Sequence, residues 1–101
     1  MKIFLDDCRP APLGWILVHW PADVIQLLEQ GGVTDISLDH DLGDDVRGTG
    51  YDVLSWIEEA VATRAFQPPR IEVHSANPAA RLRMLQAIGA IERLAGRSED
   101  L

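Results

Sequence analysis

The sequence predicts one α/β domain: a parallel four-stranded sheet with three helices, in the order β-β-α-β-α-β-α. Three observations carry that prediction. The chain is 101 residues long, the length of a single domain. Short apolar runs alternate along it with segments of helical period. Helices that return the chain between successive strands imply parallel pairing through right-handed crossovers, with helices on the sheet faces. Hydrophobic residues at 47% and charged residues at 25% are ordinary globular usage, which argues against a disordered tail or a fibre.

Each element has its own signal. Residues 2–5, Lys-Ile-Phe-Leu, fit a buried strand. The nine residues that follow contain Pro10, Pro12 and Gly14, which exclude a good helix. Extended, they can span about 30 Å and return the chain to the other end of the sheet, so the second strand, 15–18, is read as parallel to the first. A helix is predicted over 21–30, with Pro21 in its first turn, Asp23 near its N-terminus, and Val24, Ile25, Leu27 and Leu28 on one face. Gly31-Gly32 stops it.

The third strand, 35–38, runs straight into Asp39-His40-Asp41, and residues 44–50 read as a loop. Thr49 and Asp52 have capping-box spacing before a stripe of Val53, Leu54, Ile57, Ala60 and Val61 that predicts a helix to about residue 63. Pro68-Pro69 break the chain, and Ile71 and Val73 flank Glu72 in a fourth strand. Asn77 is a good N-cap with Pro78 behind it. The last helix is predicted to end near residue 94 at Gly96, with Leu85, Ile88 and Ile91 inward. Trp15 and Trp56 are expected in the core, and Trp20 half exposed.

Sixteen acidic residues against nine basic ones give a formal net charge of −7, which works against broad, non-specific binding to a nucleic-acid backbone. A single cysteine, Cys8, cannot staple the fold, and no apolar run approaches the roughly 18 residues of a membrane helix. The opening residues reach acid too early for a signal peptide. A cytoplasmic domain without a membrane partner is the expectation.

Open parallel sheets bind ligands at the carboxyl ends of their strands. Here those ends carry Asp6-Asp7 and Arg9, then Asp39-His40-Asp41, then His74-Ser75 and Asn77. Converging carboxylates repel unless they share a proton or a hard cation, and Asp6, Asp7 and Asp39 make an oxygen-rich set suited to Mg²⁺ or Mn²⁺. His40 reads as metal ligand or general acid, or as a side chain turned away from the rim. His74 reads as an acid/base or phosphate ligand, or as a structural histidine; neighbours on a strand point to opposite faces, so His74-Ser75 is no nucleophile pair. Arg9 either holds a phosphate or neutralises Asp6 or Asp7. Arg81, near a helix N-terminus where cations are disfavoured, either completes an anion site or is a solvated surface residue. Gly48-Thr49-Gly50 lacks Walker spacing and a lysine, and reads as a turn into a capped helix.

The strand ends resemble those of receiver domains, with Asp6-Asp7, Asp39 and Ser75 at matching positions. The sequence departs from them in having no room for a helix between its first two strands, and no fifth strand with a lysine. A closer resemblance is to the cyclic-phosphate-processing receiver domains. It rests on Phe-Leu-Asp-Asp-Cys-Arg-Pro-Ala-Pro (4–12), Ser-Leu-Asp-His-Asp-Leu-Gly (37–43), Gly-Thr-Gly-Tyr-Asp-Val-Leu (48–54) and Val-His-Ser-Ala-Asn-Pro (73–78). Cys8 stands where that pattern leads one to expect an acid. The resemblance implies a receiver-like, reduced flavodoxin-like fold and a role on nucleotides or RNA ends bearing cyclic phosphates.

Three functions follow as expectations. In a metal-dependent phosphoesterase, Asp6, Asp7 and Asp39 hold the cation, Asp41, His40 or His74 moves protons, and Ser75, Asn77, Arg81 and Arg9 grip the phosphate. Asp39 is alternatively the nucleophile. A non-catalytic receiver binds Mg²⁺ and phosphate, with Asp39 as a possible phosphoacceptor, and answers to a protein partner. An adaptor binds no ligand at all.

Overall fold

The computed structural model describes residues 1–43 and 45–99. Its strands are β1 (Lys2–Leu5), β2 (Trp15–Val18), β3 (Asp35–Leu38) and β4 (Arg70–Val73); its helices are α1 (Pro21–Gln30), α2 (Gly50–Arg64) and α3 (Pro78–Glu99). The sheet order is β2-β1-β3-β4 and every pairing is parallel. The connection 6–14 therefore does return the chain for a parallel β2, through bends at 7–9 and a turn at 13–14 rather than fully extended. Within the predicted 44–50 loop, Asp45–Arg47 form a short 3-10 turn, Gly48 and Thr49 are irregular and Gly50 already begins α2; Asp44 lies outside the described residues.

Strand alternation divides the sheet into two unlike faces. Ile3, Leu5, Val18, Ile36 and Leu38 pack in one cluster with Val24 and Leu28 of α1, Val53, Leu54, Ile57 and Val61 of α2, and Met84, Ala87, Ile88 and Ile91 of α3. Full burial of each such aliphatic side chain contributes about 1.5–3 kcal/mol. All three helices thus cover the same face, whereas the sequence suggested helices on both. Residues 6–14, which join β1 to β2, form neither helix nor strand. The opposite face carries Lys2, Phe4, Trp15, Leu17, Asp35, Ser37, Arg70 and Glu72, as the strand register dictates.

Helix ends follow chemistry the sequence only partly exposes. The capping box forms: Thr49 N–H donates to Asp52 Oδ2 at 2.8 Å and Tyr51 N–H to Thr49 Oγ1 at 3.2 Å. α2 ends on Ala65 in the left-handed region, φ 53°. Gly96 does not end α3, which continues to Glu99, because its φ is not positive and a glycine stops a helix only from the left-handed region. Leu85 is exposed, not inward; the buried stripe is Ala80, Met84, Ala87, Ile88 and Ile91, one position away. Trp15 and Trp56 are half-buried rather than core: Trp56 packs at the margin of the cluster, edge-on to Phe66, and Trp15 lies on the helix-free face, edge-on to Phe4. Trp20 is half-buried as expected. Among the described residues no helix is long and apolar enough to cross a membrane.

Candidate functional site

The ladder extends one residue past the strands. Asp6 N–H donates to Val18 O at 3.1 Å, Asp39 N–H to Leu5 O at 3.0 Å, and His74 N–H to Leu38 O at 3.0 Å. Alternation therefore continues through these residues and turns all three side chains towards the helix-free face. One ligand atom from each of Asp6, Asp39 and His74 lies within 4.8 Å of the others. Three separate stretches of sequence thus meet at one end of the sheet.

Asp6 is the fixed point, with only 1% of its surface exposed. Its Oδ1 accepts the backbone N–H groups of Cys8 at 2.8 Å and Arg9 at 2.9 Å, which is how an aspartate turns the chain off a strand. Its Oδ2 meets His74 Nε2 at 3.0 Å. Burial alone would raise its proton affinity; the Arg9 and Cys8 amides and the imidazole outweigh burial and hold the carboxyl below its usual range. Asp39 goes the other way. Burial raises its proton affinity, His40 N–H at 2.8 Å opposes, and the Asp6 charge adds to the rise. Two neighbouring carboxylates thus differ in proton affinity, one firmly ionised and one held back by its surroundings.

His74 is held on every side. Its Nδ1 lies 2.7 Å from Ser37 Oγ, its ring stacks on Phe4 at 4.2 Å and 3°, and its carbonyl accepts from Arg9 Nη1 at 2.8 Å. Ser37 and Phe4 are neighbours of this group that sequence reasoning missed. The available signal was Ser37 itself, a polar side chain between Ile36 and Leu38 that burial obliges to find a partner.

Beyond β3 the chain is held by Leu42, which is buried. The backbone at Gly43 comes so near the exposed Asp7 that a Cβ there would stand 3.3 Å from Asp7 Oδ2. The exposed Asp41 uses Oδ1 to accept Gly43 N–H at 3.1 Å, while His40 is half-buried. Arg47 lies over the Trp20 ring, 3.7 Å from its centre. Gly50 then starts α2 with its N–H donating to His40 O at 3.2 Å, and a Cβ there would fall 1.8 Å from Asp39 O. Only glycine lets the helix seat against the Asp39 backbone. Cys8 is exposed, and the charge of Asp7 beside it pushes its thiol up.

Three of the four expected phosphate grips form a joint between β4 and α3. Ser75 Oγ accepts Asn77 N–H at 3.2 Å, Asn77 Oδ1 caps the helix by accepting Ala80 N–H at 3.1 Å, and Arg81 Nη1 donates to Val73 O at 3.1 Å. A hydroxyl that accepts one bond can still donate its own proton, and a guanidinium has five donors. The arrangement offers carboxylate and imidazole ligands beside hydroxyl and guanidinium donors.

The family model of cyclic-phosphate processing receiver domains matches residues 1–90. No match is found among curated proteins or among solved structures.

Proposed function

The chain belongs to the cyclic-phosphate-processing receiver domains, and on that premise we propose that it handles a phosphoester with the help of a divalent cation, the substrate being a nucleotide or RNA end that bears a cyclic phosphate. The observation that carries this reading is the meeting of Asp6, Asp39 and His74 within 4.8 Å at the carboxyl edge of the sheet. The two carboxylates suit Mg²⁺ or Mn²⁺, and the unequal proton affinities of Asp6 and Asp39 leave a pair that a cation would relieve. When bound, such a cation supplies Lewis acidity to a phosphoryl oxygen.

The remaining roles fall to the chain's own groups. Asp6, locked by two backbone N–H groups, presents an ionised oxygen in a fixed place. Asp39 is either a further ligand or the nucleophile. Asp7, Asp41 and His40, within two residues of Asp6 or Asp39 in sequence, are the candidates for further ligation and proton transfer. Ser75, Asn77, Arg9 and Arg81 are the candidates for non-bridging oxygens, with Arg9 and Arg81 already steadied by the carbonyls of His74 and Val73.

The test is turnover of 2′,3′-cyclic nucleotides with Mg²⁺ or Mn²⁺, in wild type and Asp39→Asn. Metal-dependent ring opening that Asp39→Asn abolishes supports hydrolysis. A second reading is a non-catalytic module that binds cation and phosphate with the same carboxylates and needs no proton-transfer residue. It predicts saturable nucleotide binding with no turnover, retained in His40→Ala. Neither turnover nor binding, with either metal, would overturn both.

A further inference from the structure

Ser37, His74 and Asp6 form a hydroxyl–imidazole–carboxylate chain on the helix-free side of the sheet, with contacts of 2.7 Å and 3.0 Å. Both ring nitrogens of His74 are engaged, so in this arrangement the imidazole has no lone pair to offer a cation. For a neutral ring beside an ionised Asp6, the consistent assignment is Nε2–H donating to Asp6 and Ser37 O–H donating to Nδ1. The converse assignment, Nδ1–H donating to Ser37, would aim the Nε2 lone pair at the Asp6 carboxylate. That pairing is repulsive unless a cation stands between them.

We propose that Ser37 is a positioning residue that makes His74 a convertible ligand: hydrogen-bond donor to Asp6 in the cation-free protein, and nitrogen ligand beside Asp6 and Asp39 once a cation binds. Conversion moves one proton, from Nε2 to Nδ1 by way of solvent, and leaves the ring neutral. The Ser37 hydroxyl turns from donor to acceptor as it does so, which a side chain with only one of those abilities cannot do.

Geometry favours the change. Adjacent ligands about 2.1 Å from an octahedral ion stand about 3.0 Å apart, so Asp6 and His74 already have the separation that shared coordination needs. The Phe4 stack restrains the plane of the ring, so that coordination needs an in-plane adjustment of the ring or of Asp6 together with the proton shift. A ligating histidine characteristically donates its second N–H to a neighbouring acceptor, and Ser37 Oγ is that acceptor here. A nitrogen donor also shifts the preference of the site from Mg²⁺ towards ions that accept imidazole, such as Mn²⁺ and Zn²⁺. This inference rests on the proposed cation site and assigns it a ligand and an outer partner.

Zn²⁺ is a suitable probe because it is diamagnetic and takes imidazole. The ring nitrogens of His74 are followed by ¹⁵N–¹H correlation in the full chain, with and without Zn²⁺, in wild type, Ser37→Ala and Ser37→Thr. The expected result is an Nε2–H ring without metal and an Nδ1–H ring with it. Ser37→Ala weakens Zn²⁺ binding about tenfold and Ser37→Thr restores it. Zinc binding that shifts Asp6 and Asp39 while the His74 ring keeps Nε2–H would overturn this inference alone. So would undiminished affinity in Ser37→Ala. No zinc response in the wild type would overturn the cation site itself and this inference with it.

Discussion

The two faces of the sheet are built from the same four strands and do different work. One face presents Ile3, Leu5, Val18, Ile36 and Leu38 to three helices and carries the core. The other presents Phe4, Ser37 and Glu72, and its alternation runs on into Asp6, Asp39 and His74. Apolar residues hold the strands in register from one side, so polar residues can be held in place on the other without a second core around them. The difference teaches where rigidity comes from: the site is placed by the backbone ladder, and the ladder is held by the covered face.

That division can be broken first from the covered side. Leu5→Ala removes a fully buried side chain adjacent to Asp6 in sequence and should cost about 2–5 kcal/mol of stability in chemical denaturation. A loss under about 1 kcal/mol would mean that the core is not where the burial places it. Gly50→Ala attacks the junction of the two regions, since the new methyl group would run into Asp39 O. It should cost about 1–3 kcal/mol and shift the amide resonances of Asp39 and His40. Unchanged stability together with unchanged shifts would show that the helix can seat elsewhere.

The open face should respond more weakly in stability. Phe4→Leu is expected to cost about 1 kcal/mol, yet to alter the environment of the His74 ring, visible in its ring-proton shifts. A large loss of stability with no change at His74 would reverse the assignment of roles.

The smallest effects concern pH. Asp6, with proton affinity lowered on folding by its backbone donors and His74, contributes stability above its unfolded range that is lost as pH falls through its folded value. Asp39, raised by burial and by the Asp6 charge, does the reverse: the cation-free protein loses a little stability as pH rises through its titration. Asp39→Asn should therefore be slightly more stable than wild type at neutral pH without metal, by thermal denaturation. A clear loss would contradict the repulsion.

Much of this was legible in the sequence. The four apolar runs gave the strands, and the residues just after them gave Asp6, Asp39 and His74, because alternation and strand-end position are local properties. Ser37 and Phe4 were not legible as site residues. Their significance depends on β3 and β1 lying side by side with β4 beyond, and the strand pattern alone does not tell a buried serine's partner. Gly50 looked like a helix-entering turn, and its real constraint is the Asp39 carbonyl of another segment. Leu85 was misplaced because spacing by threes drifts off a face that turns every 3.6 residues.

Paramagnetic broadening by Mn²⁺ tests the cation site most directly. Titrated into ¹⁵N-labelled protein, Mn²⁺ should broaden amides around Asp6, Asp39 and His74 first and saturably, spare the far end of α1, and lose this pattern in Asp39→Asn. Unsaturable broadening spread over the acidic surface, or a pattern that survives in Asp39→Asn, would contradict a cation site at the meeting of these three residues.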